Sequence, residues 1–207
     1  LRRGRVPGRR AAHRPDVGHI TFASQFDHRH RVVDASLAVL DAEDRIDAVR
    51  PAAVAEILGI RSQSLYAHVD GVVGLRRLLA LTTLEELAEV LTTAAVGRSG
   101  RDAVEAIIRA HLAHALAHPG RSEASLHPPG DDPELGVAVE RAGRPLQTVL
   151  ASLGLDDDQR VHWIRLQLSL TVGFVALVRD GRLTLSPPPE ATVDHVVGIL
   201  LDRLESH

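Results

Sequence analysis

A chain of 207 residues, 44% hydrophobic and 25% charged with a formal net charge of −3, can bury one large or two small cores. No run of 18 apolar residues marks a membrane span, and the basic N-terminus lacks the apolar stretch of a signal peptide. With no Cys, disulfides and thiolate metal sites are excluded, and a reducing cytoplasm is the expected setting.

Charge is unevenly spread. Residues 1–31 carry eight Arg against Asp16 and Asp27, a balance of +6, whereas 32–99 sum to −4 and 100–207 to −5. The opening LRRGRVPGRR has the Pro and Gly content of an unstructured arm, and 1–25 is taken as one. An Arg-rich arm suits phosphate contact. All basic residues here are Arg, so a solvated tail shaped by codon bias is the alternative.

Residues 26–43 carry Val32, Val33, Ser36, Leu37 and Leu40 at helical spacing. A linker follows, with Ile46 and Val49 as buried anchors. Arg50-Pro51 opens a second helix, since Pro is at home in a first turn. Val54, Ile57 and Leu58 form its stripe, Ala55 is small where helices cross, and Gly59 ends it in the left-handed conformation. Ile60 is expected to plug the core from the turn and Ser62 to cap the next helix, 62–69. Leu65 and Val69 then face inward, leaving Gln63, Ser64, Tyr66 and His68 outward. A short helix with such a polar face is what the DNA major groove admits and can be read by.

Asp70-Gly71 is a turn. Apolar periodicity then predicts helices over 72–95 and 101–118, with Pro119-Gly120 as a stop. After a loop over 127–134, a helix runs to about 153 with Pro145 inside it. Asp156 to Asp158 favour the start of a helix over 157–179, and a last helix covers 192–206. No strand pattern and no internal repeat emerge. The chain reads as all-α, with about nine helices.

The segments VVDASLAVLDAE, AVAEILGI, SLYAHV and GLRRLLA, from Val32 through Leu79, resemble the TetR family of bacterial transcriptional regulators. The Leu-Tyr-x-His element (Leu65, Tyr66, His68) after a Leu-Gly turn is the most specific part. More loosely, Ala115 to Gly120 and Trp163 resemble one common TetR ligand-binding type. Val172-Gly173 stands where that type has His-Gly, so no role of that His carries over. The chain also has Arg50-Pro51 where the family has Ser or Thr, and Val72 where it has a phosphate-binding Lys. The Arg-rich arm is the candidate replacement for that charge.

The resemblance implies a three-helix helix-turn-helix DNA-binding domain at 26–72 and a helical effector-binding and dimerisation domain at 73–207. It implies a homodimer on a palindromic operator, assembled through the last two helices, with recognition helices roughly 34–36 Å apart. Candidate DNA contacts are Arg50, Arg61, Ser62, Gln63, Ser64, Tyr66 and His68; Gln63 can bond adenine bidentately, and the family match suggests Tyr66 for base or phosphate and His68 for phosphate.

His111, His114, Trp163, Gln167, Thr171 and Phe174 are the candidate ligand-binding residues, the last four sharing one face of a helix. Apolar walls with a few polar groups are how small-molecule sites are built, and ordinary core is the alternative. Arg109, Arg141 and Arg144 are candidates for an anionic effector. His111, His114 and His118 share a face, but no carboxylate completes a metal set, so no metal and no cofactor is assigned.

The expected function is a ligand-responsive transcriptional regulator, a repressor released by a small-molecule effector. The alternatives are a TetR-like protein acting through a protein partner with weakened DNA binding, and a helical enzyme. No nucleophile elbow or phosphate loop supports the enzyme.

Overall fold

The computed structural model describes the backbone of residues 17–66 and 69–205, with the side chains of residues 29–66 and 69–204. The arm up to residue 16 and His68 lie outside the described residues. Nine α-helices and no strands are found among them: α1 Val17–Glu43, α2 Pro51–Leu58, α3 Ser62–Leu65, α4 Gly71–Ala95, α5 Gly100–Ala117, α6 Pro119–Ser125, α7 Pro133–Ser152, α8 Asp157–Arg179 and α9 Val193–Glu205. Short 3-10 turns cover Ile46–Ala48 and Pro189–Thr192.

Two hydrophobic cores divide these helices. The first gathers Val32, Leu40, Val49, Val54, Leu65, Leu75 and Leu79 from α1 to the first half of α4, with Ala124 of α6. The second begins at Ala80 and takes in Leu84, Leu87 and Leu91 of α4 with the apolar faces of α5, α7, α8 and α9. One continuous helix, α4, therefore serves both. The first core reaches to Leu79, beyond the 72/73 border expected from sequence.

Several local expectations are corrected. Helix α1 starts at Val17, nine residues earlier than expected, and takes in part of the segment read as an arm. Ile57 is 53% and Ile60 39% exposed rather than buried. The buried face of α2 is Pro51, Val54 and Ala55 with half-buried Leu58, and at 100° per residue Ile57 points about 110° away from its centre. Gly59 does end α2 at φ 66. Its N–H donates to the Glu56 carbonyl at 3.1 Å and the Ile60 N–H to the Ala55 carbonyl at 3.0 Å, the paired bonds of a Schellman turn. Pro119 ends α5 and, by the same ring geometry, starts α6 at its first turn, a helix the sequence reading missed.

Polar side chains fix the later helix starts. Asp132 Oδ1 accepts from the Glu134 and Leu135 N–H groups at 3.0 and 3.2 Å, and Asp156 and Gln159 form a reciprocal capping box. Arg77 reaches across from α4 to Asp132 and, at 2.6 Å, to Glu134, pinning the start of α7. Helix α8, at 23 residues, is long and apolar enough to cross a membrane by length and composition alone. Only 22% of its most apolar window is buried, because its inward face is confined to Trp163, Gln167, Thr171, Phe174 and Val175.

Candidate functional site

Helix α3 is one turn long, Ser62 to Leu65, shorter than the expected 62–69. Arg61, not Ser62, is the capping residue; Ser62 already lies inside the helix, and no side chain caps it. Leu65 is fully buried and is the anchor of α3 in the first core. Tyr66 keeps right-handed dihedrals, and the Val69 N–H donates to the Leu65 carbonyl at 3.1 Å. Gly71 then reverses the chain at φ 54, which leaves little room for a longer helix.

With Leu65 and Val69 turned in, Arg61, Gln63, Ser64 and Tyr66 are exposed, Tyr66 at 58%, and Ser62 is half-buried. Arg50, just before α2, is exposed and its Nε donates to the Asp47 carbonyl at 3.1 Å. Arg76, on α4, is held by Asp47 at 2.6 Å. The loop carrying Asp47 thus orients two cations on the same domain.

The second core encloses a cavity of about 210 Å³. Its walls come from Leu84, Leu87 and Leu91 of α4, Ile107 and His111 of α5, Ser122 and Ser125 of α6, and apolar residues of α7 and α8. Leu126, Val139 and Leu168 line it and are each about 40% exposed, which places the mouth between α6, α7 and α8. Of the sequence candidates, His111 and Gln167 line this cavity. Thr171 is fully buried behind Gln167, and Phe174 belongs to the core.

Trp163 is also core and lines a separate pocket with Gln159, His162, Leu166 and Arg203; its Nε1 is buried without a hydrogen-bond partner. His114 is half-buried, its ring 5.4 Å from that of His118. Among the described residues no set of three or more metal-ligating side chains converges.

Gln167 organises the polar wall. Its Nε2 lies 3.0 Å from His111 Nδ1 and donates to Thr171 Oγ1 at 2.9 Å. Burial, with His114 nearby, pushes the His111 imidazole down to about 4, so at neutral pH it is uncharged. None of the three Arg candidates for an anionic effector lines the cavity. Arg109 is held by Glu105 at 2.8 Å and Asp194 at 2.7 Å, and Arg141 by Glu85 at 2.6 Å.

An uncharacterized HTH-type transcriptional regulator of Mycobacterium tuberculosis is 36% identical to this chain over 155 residues, covering 74% of the chain and 71% of that protein. A profile of the tetracyclin repressor-like C-terminal domain matches residues 104–200, where the cavity's α5, α7 and α8 walls lie. The chain belongs to the TetR family of transcriptional regulators.

A second HTH-type regulator, from Bacillus subtilis, is 26% identical over 71% of the chain and 76% of its own length. The fold of this TetR-family chain is shared with a Streptomyces coelicolor A3(2) protein described as a possible TetR family transcriptional regulator, at a TM-score of 0.65, 18% identity and coverage of 86% of this chain and 98% of that one. It is also shared with a TetR variant from Acinetobacter baumannii AYE in complex with minocycline, at a TM-score of 0.59, 19% identity and coverage of 84% and 92%.

The helix that sequence reading missed joins the two regions of this regulator. On one side α6 lines the cavity through Ser122 and Ser125. On the other it packs Ala124 into the first core and lays Gly120 against α1, where an added Cβ would stand 3.0 Å from the Leu40 carbonyl oxygen. Arg121 donates to Asp41 of α1 at 2.6 Å and to Glu86 of α4 at 2.8 Å. That guanidinium holds the Asp41 carboxyl below its usual range and is itself raised by Asp41. Glu123 accepts from the Ile46 N–H at 3.2 Å and from Arg179 of α8 at 3.0 Å. No periodic signal marks a seven-residue helix, and Arg121 and Glu123 look like ordinary surface charges in the sequence.

Proposed function

We propose that this TetR-family regulator is a repressor that binds a palindromic operator as a homodimer and is released when a small molecule fills the α4–α8 cavity. Residues 26–72 form the DNA-reading part and 73–207 the sensing and dimerising part, with α4 common to both. Arg50, Arg61, Ser62, Gln63, Ser64, Tyr66 and His68 are the proposed DNA contacts, with the Arg-rich arm adding phosphate contacts. His111 and Gln167 contact the effector directly, with Thr171 behind them. His114, Trp163 and Phe174 act through the packing around the cavity. That a structural neighbour is in complex with minocycline supports a small-molecule ligand for this fold.

The observation that carries this reading is α6. A guest that displaces Ser122 or Ser125 also strains Gly120, Arg121 and Ala124 against α1 and the first core. Such a guest biases the protein toward one arrangement of the reading helices only by binding it more tightly than the other. The partner face is the exposed apolar side of α8 and α9, with Leu166, Leu177 and Ile199 outward. A second copy packed there as a four-helix bundle covers it.

The test is fluorescence anisotropy of the full chain on DNA from its own upstream region, with light scattering on the same sample. The expected results are a particle of twice the chain's mass and salt-dependent binding to an inverted repeat. The affinity should be lowered by an identified cavity ligand. A monomer, or a dimer whose operator affinity no cavity ligand changes, sinks the reading.

A further inference from the structure

The chemistry of the cavity wall selects the class of guest, an inference that rests on the effector reading above. Of the side chains that line it, most are aliphatic, and the polar ones are Ser122, Ser125, Gln147, Gln167 and His111. None is Asp, Glu, Lys or Arg. Arg121, next to Ser122 in the chain, is paired with Asp41 and Glu86, and Arg77 with Asp132 and Glu134. A charged guest would lose its hydration and meet no counter-charge, which costs several kcal/mol in an apolar enclosure.

The polar wall itself has a defined remainder. Ser125 Oγ donates to the Ser122 carbonyl at 2.8 Å. Gln167 uses both amide protons, one toward His111 Nδ1 and one on Thr171 Oγ1. What the buried pair then offers is the Gln167 carbonyl oxygen as acceptor and the His111 Nε2–H as donor. Exchanging the amide oxygen and nitrogen together with the imidazole tautomer reverses the two roles. In both arrangements one member of the pair offers a donor, the other an acceptor, and neither a charge.

We propose that the cavity takes an uncharged, largely apolar molecule of on the order of ten non-hydrogen atoms, bearing one group that both donates and accepts a hydrogen bond, such as an alcohol or phenol. The apolar body lies along α4 and α7, and the hydroxyl donates to one member of the His111–Gln167 pair while accepting from the other. A site built around such a pair discriminates strongly against a guest lacking the polar group, because the buried donor and acceptor are then left unmet.

The test is titration calorimetry at pH 7.5 on the full chain with four probes that share a butylphenyl body: 4-butylphenol, butylbenzene, 4-butylbenzoate and 4-butylbenzylammonium. The phenol should bind tightest, with each of the others at least about tenfold weaker. In Gln167→Met, of nearly the same volume, the preference for phenol over butylbenzene should collapse. The probe series needs no variant, so the ranking stands even if Gln167→Met folds poorly.

A benzoate or benzylammonium that binds as tightly as the phenol overturns the proposal, as does a phenol that fails to bind. Butylbenzene equalling the phenol, or a preference unmoved in folded Gln167→Met, overturns it too. Anisotropy with operator DNA separates the two claims. A phenol that binds by this ranking and leaves DNA affinity unchanged sinks the effector role alone.

Discussion

The two cores place their polar groups oppositely. The DNA-reading region buries Leu65 and Val69 and turns Gln63, Ser64 and Tyr66 out into water. The region of the second core turns Leu166, Leu177 and Ile199 out and keeps His111, Gln167 and Thr171 inside, bonded to one another. Each outward hydrogen bond competes with water, so a reading surface needs many contacts and a helpful charge balance. Inside, in apolar surroundings, each hydrogen bond is electrostatically stronger than at the surface and an unmet donor or acceptor costs more. One chain thus holds polar groups spread over an exposed surface and a small bonded polar cluster in its interior.

Four measurements break or sharpen that contrast. The largest effect is expected for Leu65→Ala, which empties the anchor of α3 and should cost about 2–5 kcal/mol in a thermal or urea melt. A loss below about 1 kcal/mol would show that the reading helix does not depend on the core beneath it. Next is the pH dependence of the interior. Burial sets the folded His111 at about 4, below its unfolded value, so between those values the unfolded chain binds more protons. Stability is complete above about pH 6.5 and falls as pH drops toward 4, by on the order of 3 kcal/mol. Melts across this window should be steep for the natural chain and flatter for His111→Gln.

A smaller loss is expected for Arg121→Met, which breaks the ion pairs from α6 to α1 and α4. Solvent screening limits it to about 1–2 kcal/mol, and a double-mutant cycle with Asp41→Asn should recover coupling between the two regions. Smallest in stability is Tyr66→Ala, within about 0.5 kcal/mol because the ring is mostly exposed. Its operator affinity should nonetheless fall by roughly tenfold, corresponding to about 1–3 kcal/mol per good contact. An unchanged anisotropy isotherm would remove Tyr66 from the reading face.

Much of this was legible from residue order. The long helices α4, α5, α7 and α8 repeat apolar residues over several turns, so their bounds are recovered within a few residues. The Schellman turn at Gly59 and the outward Tyr66 are local features, and local chemistry suffices to read them. Ile57 was misplaced because a short helix gives too few turns to fix the centre of its buried arc. Helix α6 was missed because Pro119-Gly120 signals a stop whether or not another helix begins there.

The cavity was only half visible. His111 and Gln167 stand out as polar residues on apolar faces. Leu84, Leu87 and Leu91 look the same in sequence whether they face a space or a neighbour. Trp163 and Phe174 share the helix face of Gln167, yet tertiary packing turns Trp163 to a separate pocket and Phe174 into the core. A helix face is an arc, and which part of the arc fronts a gap depends on partners far along the chain.

The close fit of Gly120 against α1 divides the cavity walls into two kinds for anyone reshaping its preference. Enlarging or shrinking the α7 and α8 side, at Val139, Ala142 or Leu168, changes the space and little beneath the reading helix. On α6 the room is tighter at Gly120, where even a methyl meets the carbonyl of Leu40. Reshaping the cavity is therefore simplest from the α7 and α8 wall, because α6 is also part of the packing of the first core.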